Sequence, residues 1–409
     1  MLQDKRILIG VTGSIAAYKA CDLIQRLKEK GAEVRVIMTP GATRLVHPNT
    51  FAALTGFPVV EDAWSDVAKG AMRHIELARW ADAFIIAPCT AHTLAELSVG
   101  LTGSIVSLTA LAYHGRLIIA PAMNTVMLES APVREHLQRL SQRGVHILPT
   151  ASGELACGEV GEGKLISPEE ISAYVDLILE FGGDVPNLAD KTILISGGHT
   201  EEPLDGVRHL SNRSSGKTAV ALARAFRLSG AEVRLVLGLA DEPAPSGMGV
   251  IRVRTSAEFQ KDLLLAQKDS DAVIMAAAIA DFVPAQTHAG KWKNSRSMKT
   301  LDLQPAPNIL SELGLNKTGN QILVGFALET ESPLAHAAEK MKSRNCDFMV
   351  VNTPLSKSGH GFGEDNIEAA ILHAAGSSKD MPRLEMMSKN SLAVQLVRQV
   401  ASRFQGSAS

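Results

Sequence analysis

The sequence has no paired cysteine motif: its four cysteines, Cys21, Cys89, Cys157 and Cys346, are scattered without a CxxC spacing. That scatter argues against a zinc site and against a disulfide framework. An excess of one charge is also lacking, with 41 Lys and Arg against 43 Asp and Glu and a formal net charge of −2. Such a balance gives no basic footprint for nucleic acid and no polybasic patch for a membrane surface. Long apolar runs are missing too. The most membrane-like stretch, residues 94–113, is interrupted by Glu96, Gly100 and Gly103. It falls short of the ~20 clean apolar residues that a span needs and reads as a buried or interface helix. The opening MLQDKRILIG runs directly into a strand pattern without the charged and apolar regions of a secretory signal, so a cytoplasmic protein is expected.

At 409 residues and 45% apolar content, the chain is long enough for two or three domains of ~100–200 residues with full cores. The pentapeptide GAEVR occurs twice, at 31–35 and 230–234, each time after an ILI strand and a helix and before another apolar strand. A glycine helix stop followed by a β-branched strand is what any β-α-β unit needs, so the repeat speaks for architecture and not for duplication. Strands are expected at 6–11, 33–38, 83–88, 117–121 and 145–148 in the first half. In the second they are expected near 192–196, 232–237, 272–277, 322–326, 348–351 and 367–373. A C-terminal helix around 389–404 presents Leu392, Leu396, Val400 and Phe404 on one face. Continuous apolar strands alternating with helices predict parallel sheets covered on both faces. The fold class expected is α/β with two doubly wound parallel-sheet domains, 1–181 and 191–405, a linker at 182–190 (GGDVPNLAD) and a tail at 406–409. Residues 282–301 are polar, basic and aperiodic, a length of loop that is usually functional or mobile.

The first turn, GVTGSIAAYK, is neither a GxGxxG fingerprint nor a Walker A loop. Gly13 and Ser14, with Ile15 and Ala16 behind them, make either a phosphate site at a helix start or a tight turn with an N-cap. APCTA, with Pro88 and Thr90, and PAMN, with Asn124, each follow a strand; the carboxyl ends of parallel strands are where open α/β sheets bind ligands. His74 lies on a short helix, where a lone histidine is more often a satisfied structural residue than a catalyst. Cys157 stands among Gly153, Gly158, Gly161 and Gly163. Glycines at that density describe a flap that closes over a ligand, whereas a structural thiol prefers a rigid apolar setting. In the second half, SNRSSGKT resembles a P-loop only in its GKT, since Ser211 stands where the first glycine belongs. Ser214, Ser215 and Gly216 can still bind an anion through backbone amides. Asp281 ends a strand, and Lys291 and Lys293 sit in the basic loop; a cap and a solvated loop are their ordinary readings.

GSIAAYK, His74 within RHIELARWAD, PAMN and the ACG flap together resemble the flavin-dependent cysteine decarboxylases of coenzyme A biosynthesis. With the second half included, nearly the whole chain resembles the bifunctional phosphopantothenoylcysteine decarboxylase/phosphopantothenate–cysteine ligase family. The resemblance implies a flavodoxin-like flavoprotein domain followed by a Rossmann-like nucleotide-binding domain. It implies FMN, with its phosphate at Gly13, Ser14, Ile15 and Ala16 and further contacts from Thr39, Pro88 and Thr90. His74 would be the catalytic histidine, Asn124 the substrate-binding asparagine and Cys157 the proton donor on the flap. FMN in such chemistry draws a hydride equivalent from the thiol side, which makes loss of CO2 feasible. A neutral Asn124 orients the departing carboxylate without stabilising its charge, and a thiol on a lid delivers a proton while excluding water.

For the second half, the resemblance implies Asn212 acting on an acyl-nucleotide intermediate and Asp281 as the ribose-side or Mg2+-side acid. Lys291 would neutralise phosphate charge as a carboxylate attacks the α-phosphorus. Pro307, Asn308, Ile309, Leu310, Phe326, Lys340 and Arg344 would surround CTP. The implied reactions are CTP-dependent ligation of 4′-phosphopantothenate to cysteine, then decarboxylation of 4′-phosphopantothenoylcysteine to 4′-phosphopantetheine, in a homo-oligomer with FMN between subunits. The chain departs from the family pattern at Leu128 after PAMNTVM, at GHT (Gly198, His199, Thr200) for GP, at Gly206 in DGVR for DPVR, at KWKN (291–294) for KIKK, and at Arg344 for a lysine. Two rival readings are a flavoprotein oxidoreductase acting on another thiol and a non-catalytic flavin-binding regulator. The presence of both His74 and Cys157 ranks the regulator last.

Overall fold

The computed structural model describes residues 2–64, 72–155, 158–292, 300–354, 363–374 and 382–406. The chain divides into two compact units, Met1–Glu180 and Phe181–Ser409. Among the described residues no helix is long and apolar enough to cross a membrane.

In the first unit, β1 (Arg6–Val11), β2 (Glu33–Met38), β3 (Ala83–Cys89), β4 (Arg116–Pro121) and β5 (His146–Ile147) form one sheet in the order β2-β1-β3-β4-β5. Every pairing is parallel, and this order is the flavodoxin-like one. Ile7, Leu8, Ile9, Phe84, Ile85, Ile86, Ile118 and Ile119 are fully buried, as strands covered on both faces must be. The flap is a hairpin of β6 (Thr150–Glu154) and β7 (Val160–Leu165); its glycine content hid these strands, because glycine is depleted in strands and gives no alternation to read. The apolar stretch 94–113 is two helices and not one. Ala91–Val99 ends at Gly100, whose φ of 78° is left-handed, and Ile105–Ala112 starts from a Ser104/Ser107 capping box.

The second unit contains β8 (Thr192–Gly197), β9 (Glu201–Pro203), β10 (His209–Ser211), β11 (Glu232–Leu237), β12 (Gly249–Arg252), β13 (Ala272–Met275), β14 (Phe282–Pro284), β15 (Leu303–Pro305), β16 (Ile322–Leu328), β17 (Phe348–Thr353), β18 (Asn366–His373) and β19 (Glu385–Ser388). Its main sheet runs β12-β11-β8-β13-β16-β17-β18-β19. The six strands from β12 to β17 are parallel and follow the Rossmann order. β18 and β19 run antiparallel, so this sheet is mixed at one side. Apolar content reports the burial of a strand but not its direction. The short pairs β9–β10 and β14–β15 stand apart from the sheet, the latter bracketing the basic loop. On the last helix, Lys389–Gly406, Leu392, Leu396 and Val400 are buried, and Phe404 lies under the Lys191 ammonium at 5.0 Å.

The two GAEVR segments fold alike. Gly31 and Gly230 have φ of 90° and 85°, and the next residues, Ala32 and Ala231, bond back to Leu27 O and Phe226 O. This is the six-to-one bond of a Schellman helix stop, which favours glycine at the left-handed position. Glu33 and Arg35 then pair at 3.1 Å, and Glu232 and Arg234 at 3.0 Å. The difference lies in the neighbours. β11 is covered by β12, whereas β2 is the edge of its sheet. There Val60 bonds to Val36 and Met38, and the Arg35 guanidinium sits over the rings of Phe57 and Trp80 at 4.7 and 4.3 Å.

Phe226 is fully buried on the helix Lys217–Leu228. Phe226→Ala is expected to cost about 3–5 kcal/mol, read as a lowered denaturation midpoint of the second unit.

Candidate functional site

The loops leaving the parallel strands of the first unit are tied together. Thr12 Oγ1 donates to Pro88 O at 2.7 Å and accepts from Thr90 N at 3.1 Å, joining the ends of β1 and β3. Gly13 lies so close to Gly41 that a Cβ would sit 3.1 Å from its backbone. Four of the residues singled out by sequence are N-caps here. Ser14 accepts from Ala16 N, Thr39 from Ala42 N, Thr90 from Thr93 N and Asn124 from Val126 N. A hydroxyl that accepts at a cap keeps its own hydrogen to donate, so the cap and the anion-contact readings of Ser14, Thr39 and Thr90 are compatible.

Ser14, Ile15, Ala16 and Asn124 line one cavity of about 520 Å³, together with Lys19, Met123, Glu154, Leu155 and Lys164. Gly13, Thr39, Pro88 and Thr90 belong to the same cluster of loops but not to this lining, and His74 is not on it either. The His74 Nδ1 is buried with no hydrogen-bond partner among the described residues. Cys157 lies outside the described residues.

The hairpin is docked on the β4 end. Asn124 Nδ2 donates to Glu159 Oε2 at 2.7 Å and its Oδ1 accepts from Val126 N at 2.8 Å, so the amide is fixed from both sides. Thr125 Oγ1 donates to Glu162 O at 2.5 Å, Met123 N to Gly163 O at 3.0 Å, and Lys19 Nζ to Leu165 O at 3.2 Å. Burial, followed by the charge of Lys164, lowers the Lys19 pKa below its usual value. Two of the flap glycines therefore serve close packing: a Cβ on Gly161 would meet Thr125 Oγ1 at 2.3 Å, and one on Gly163 would meet Met123 O at 2.2 Å. Gly163 also has φ of 118°. Gly163→Ala is expected to undock the hairpin at a strain of about 1–3 kcal/mol, read as faster amide exchange across residues 150–165. Glu159 and Lys19 were missed as site residues because nothing near them in sequence marks their partners.

In the second unit, Asp281, Pro307, Asn308, Ile309, Leu310, Phe326 and Arg344 line a cavity of about 290 Å³. Asn308 caps the helix Ile309–Leu315, accepting from Ser311 N at 3.3 Å. An adjoining cavity of about 200 Å³ shares Ala277 and Phe326 and is lined by Ser214, Ser215 and Gly216. Among the described residues, those of its lining that carry charge are Arg213, Lys217 and Lys389, with no acid. It also opens on the start of the helix Lys217–Leu228, whose first amides have no intrahelical acceptor. Cations and free amides together favour an anion. Burial, then the charge of Lys217, pushes the Lys389 pKa down, while Lys217 pairs with the exposed Asp365 at 2.7 Å.

Asn212 Nδ2 donates to Ala278 O at 3.3 Å and Ile279 O at 3.0 Å, which occupies its donor side and leaves Oδ1 as the acceptor. Lys340 lines neither cavity; its ammonium pairs with Glu329. Lys291 is exposed and also lines neither. Its neighbour Trp292 is fastened, with N donating to Asp205 Oδ2 at 3.1 Å. Asp205 is buried and also accepts from Val207 N and Arg208 N, each at 2.7 Å. Burial works against the carboxylate, but these three backbone amides outweigh it and hold the Asp205 pKa below the usual range. Lys293 and Asn294 lie outside the described residues. Among the described residues no cluster of three metal-ligating side chains occurs.

Residues 1–180 match the family model "Flavoprotein", and residues 188–404 match "DNA/pantothenate metabolism flavoprotein C-terminal domain". The coenzyme A biosynthesis bifunctional protein CoaBC of Vibrio vulnificus is 35% identical over 98% of this chain and 98% of its own length. The protein of the same description from Bacillus subtilis is 36% identical, again over 98% of each. A crystal structure of the C-terminal domain of CoaBC is 25% identical and covers 55% of this chain and 100% of its own, with a TM-score of 0.45. Both units and nearly the full length are thus matched in one order, and the chain belongs to the family of coenzyme A biosynthesis bifunctional proteins.

Proposed function

We propose that the second unit joins 4′-phosphopantothenate to cysteine with CTP and that the first unit decarboxylates the product to 4′-phosphopantetheine with FMN. The observation that carries this reading is the fixed amide of Asn124 on the lining of the cavity of about 520 Å³, held between Val126 N and Glu159. The cavity falls in the range of ~300–1,000 Å³ typical of cofactor sites. Its volume and its lining fit FMN, with Ser14, Ile15 and Ala16 toward the phosphate. FMN, when bound, supplies the electron sink that makes loss of CO2 feasible. Asn124 orients the substrate carboxylate without neutralising it, so the bound carboxylate is not stabilised more than the transition state. Glu154, Leu155, Gly163, Lys164 and Leu165 of the docked hairpin segment line the cavity, and Cys157, which falls between its two strands in sequence, would return a proton to carbon. Ile15 and Tyr18, both exposed on the rim, support a homo-oligomer meeting at this face.

In the second unit, Phe326 and residues Pro307, Asn308, Ile309 and Leu310 wall the base. Lys217, Lys389 and the amides from Ser215 onward hold phosphates in the adjoining acid-free cavity. The carboxylate of 4′-phosphopantothenate attacks the α-phosphorus, releasing pyrophosphate, and the cysteine amine then attacks the acyl carbon, releasing CMP. Lys291 would neutralise charge at the first step, and a Mg2+ ion would add positive charge there. Mg2+ commonly binds through one or two carboxylates plus substrate phosphates, which suits a cavity lined, among the described residues, by the one acid Asp281. Asn212 Oδ1 accepts from the incoming amine. Substrates of this kind are water-soluble and go with a cytoplasmic location.

The test is to incubate the purified chain with FMN, 4′-phosphopantothenate, cysteine, Mg2+ and either CTP or ATP, and to follow products by mass spectrometry. 4′-Phosphopantetheine is the expected product, formed with CTP. Accumulation of 4′-phosphopantothenoylcysteine would remove the decarboxylase half of the proposal. No product with either nucleotide would favour a thiol oxidoreductase.

A further inference from the structure

We propose that His199 is a positioning residue of the ligase half, setting the direction of the backbone amide that meets phosphate in the acid-free cavity. It rests on the proposed function only in taking that cavity as a phosphate site. His199 follows β8, where its backbone is locked on two sides. It exchanges N–H···O bonds of 2.9 and 3.0 Å with Leu239 and forms a parallel bridge to Ala278. With the backbone held, the imidazole reaches across to the loop before the helix Lys217–Leu228, and Nδ1 lies 2.7 Å from Ser214 O. A carbonyl oxygen can only accept, so Nδ1 carries the hydrogen.

The consequence follows from the planar trans peptide. The carbonyl of Ser214 and the N–H of Ser215 belong to one peptide unit and point in opposite directions. Fixing Ser214 O toward His199 therefore turns the Ser215 N–H away from it, and Ser215 is a cavity-lining residue. The other side of the loop is held as well, because Ser215 O accepts from Glu242 N at 3.1 Å. Gly216, with φ of 77°, completes the turn into the helix. Two successive peptides of the anion loop are thus fixed from outside the cavity, one by a backbone group and one by a single side chain.

The experiment compares His199→Asn, His199→Gln and His199→Leu in the full chain. The Asn side-chain nitrogen can take the place of Nδ1, the Gln nitrogen that of Nε2, and Leu has no donor. Three quantities are measured: affinity for inorganic tripolyphosphate by calorimetry, kcat and KM for CTP, and amide exchange at residues 214–218. Loss of one hydrogen bond predicts about a threefold to tenfold weaker affinity for tripolyphosphate and an equal rise in CTP KM for Leu and Gln. Loop exchange should be faster in these two, with kcat within about twofold of the parent if the bond acts on binding alone. Asn should remain close to the parent in all three, and decarboxylation of supplied 4′-phosphopantothenoylcysteine should be unchanged throughout. Parental tripolyphosphate binding in the Leu variant would overturn the proposal, as would equal losses in Asn and Leu or a parent that does not bind tripolyphosphate. A parent that uses neither CTP nor ATP would instead remove the proposed function, while the tripolyphosphate series would still decide the role of His199.

Discussion

Asn124→Asp is expected to lower the decarboxylation rate by at least about 100-fold while leaving nucleotide-dependent acyl transfer unchanged. The substitution preserves size and shape, and aspartate is as good an N-cap as asparagine, so the helix Thr125–Glu129 keeps its start. What changes is the atom facing Glu159. The Nδ2 donor at 2.7 Å from Glu159 Oε2 becomes a second carboxylate oxygen. Two carboxylates at that separation cannot both ionise freely, and an anionic substrate would meet added negative charge where an amide had oriented it. Asn124→Ala loses the amide and also about 1 kcal/mol of cap, so comparison of the two separates chemistry from folding. The measurement is release of CO2 from supplied 4′-phosphopantothenoylcysteine. A near-parental rate in the Asp variant would take Asn124 out of the reaction.

Asp205→Ala is expected to abolish ligation while decarboxylation proceeds. Its carboxylate is the common acceptor for the amides of Val207, Arg208 and Trp292, and it joins two loops 87 residues apart in sequence. Lys291 precedes Trp292, so releasing this clamp frees the lysine assigned to phosphate charge. Asp205→Asn should recover part of the activity, since one carboxamide oxygen can replace only part of the acceptor set. The pH dependence has a definite sign. A carboxylate whose folded pKa is depressed contributes stability above its unfolded pKa of about 3.9 and loses it as pH falls through the lower, folded value. The clamp should therefore persist through pH ~4 and release only in stronger acid, which amide exchange at Val207 and Trp292 can follow. Release above pH ~5 would contradict the arrangement.

Sheet strands were the most legible part of the molecule. ILIG, AFIIAP and LIIAP are continuous apolar runs because both faces are covered, and β1, β3 and β4 fall where those runs do. Direction was not legible, as β18 and β19 show, and neither were strands built from glycine and charge, such as β6 and β7. Asp281, Asn308, Phe326 and Arg344 come from separate motifs and line one cavity. Lys340 is drawn off by Glu329, a competition that no motif encodes. Glu159 and Asp205 went unnoticed, and His199 stood out only as a departure from the family pattern, because each has a partner far along the chain: 35 residues for Asn124 and Glu159, 87 for Asp205 and Trp292, and 15 for His199 and Ser214.

The repeated pentapeptide has a last consequence, for association of partly folded chains. A sheet edge with free amides and carbonyls is a template on which another strand can grow. In the second unit GAEVR is shielded by β12, and the boundary passes to that four-residue strand, which ends in Arg252. In the first unit the same residues are the boundary. There Val60 occupies the outward groups of Val36 and Met38, and the rings of Phe57 and Trp80 cover Arg35. One short stretch of sequence thus needs two different guards against fibre-like stacking, and loosening the segment around Val60 would expose the N-terminal sheet to it before any catalytic group had moved.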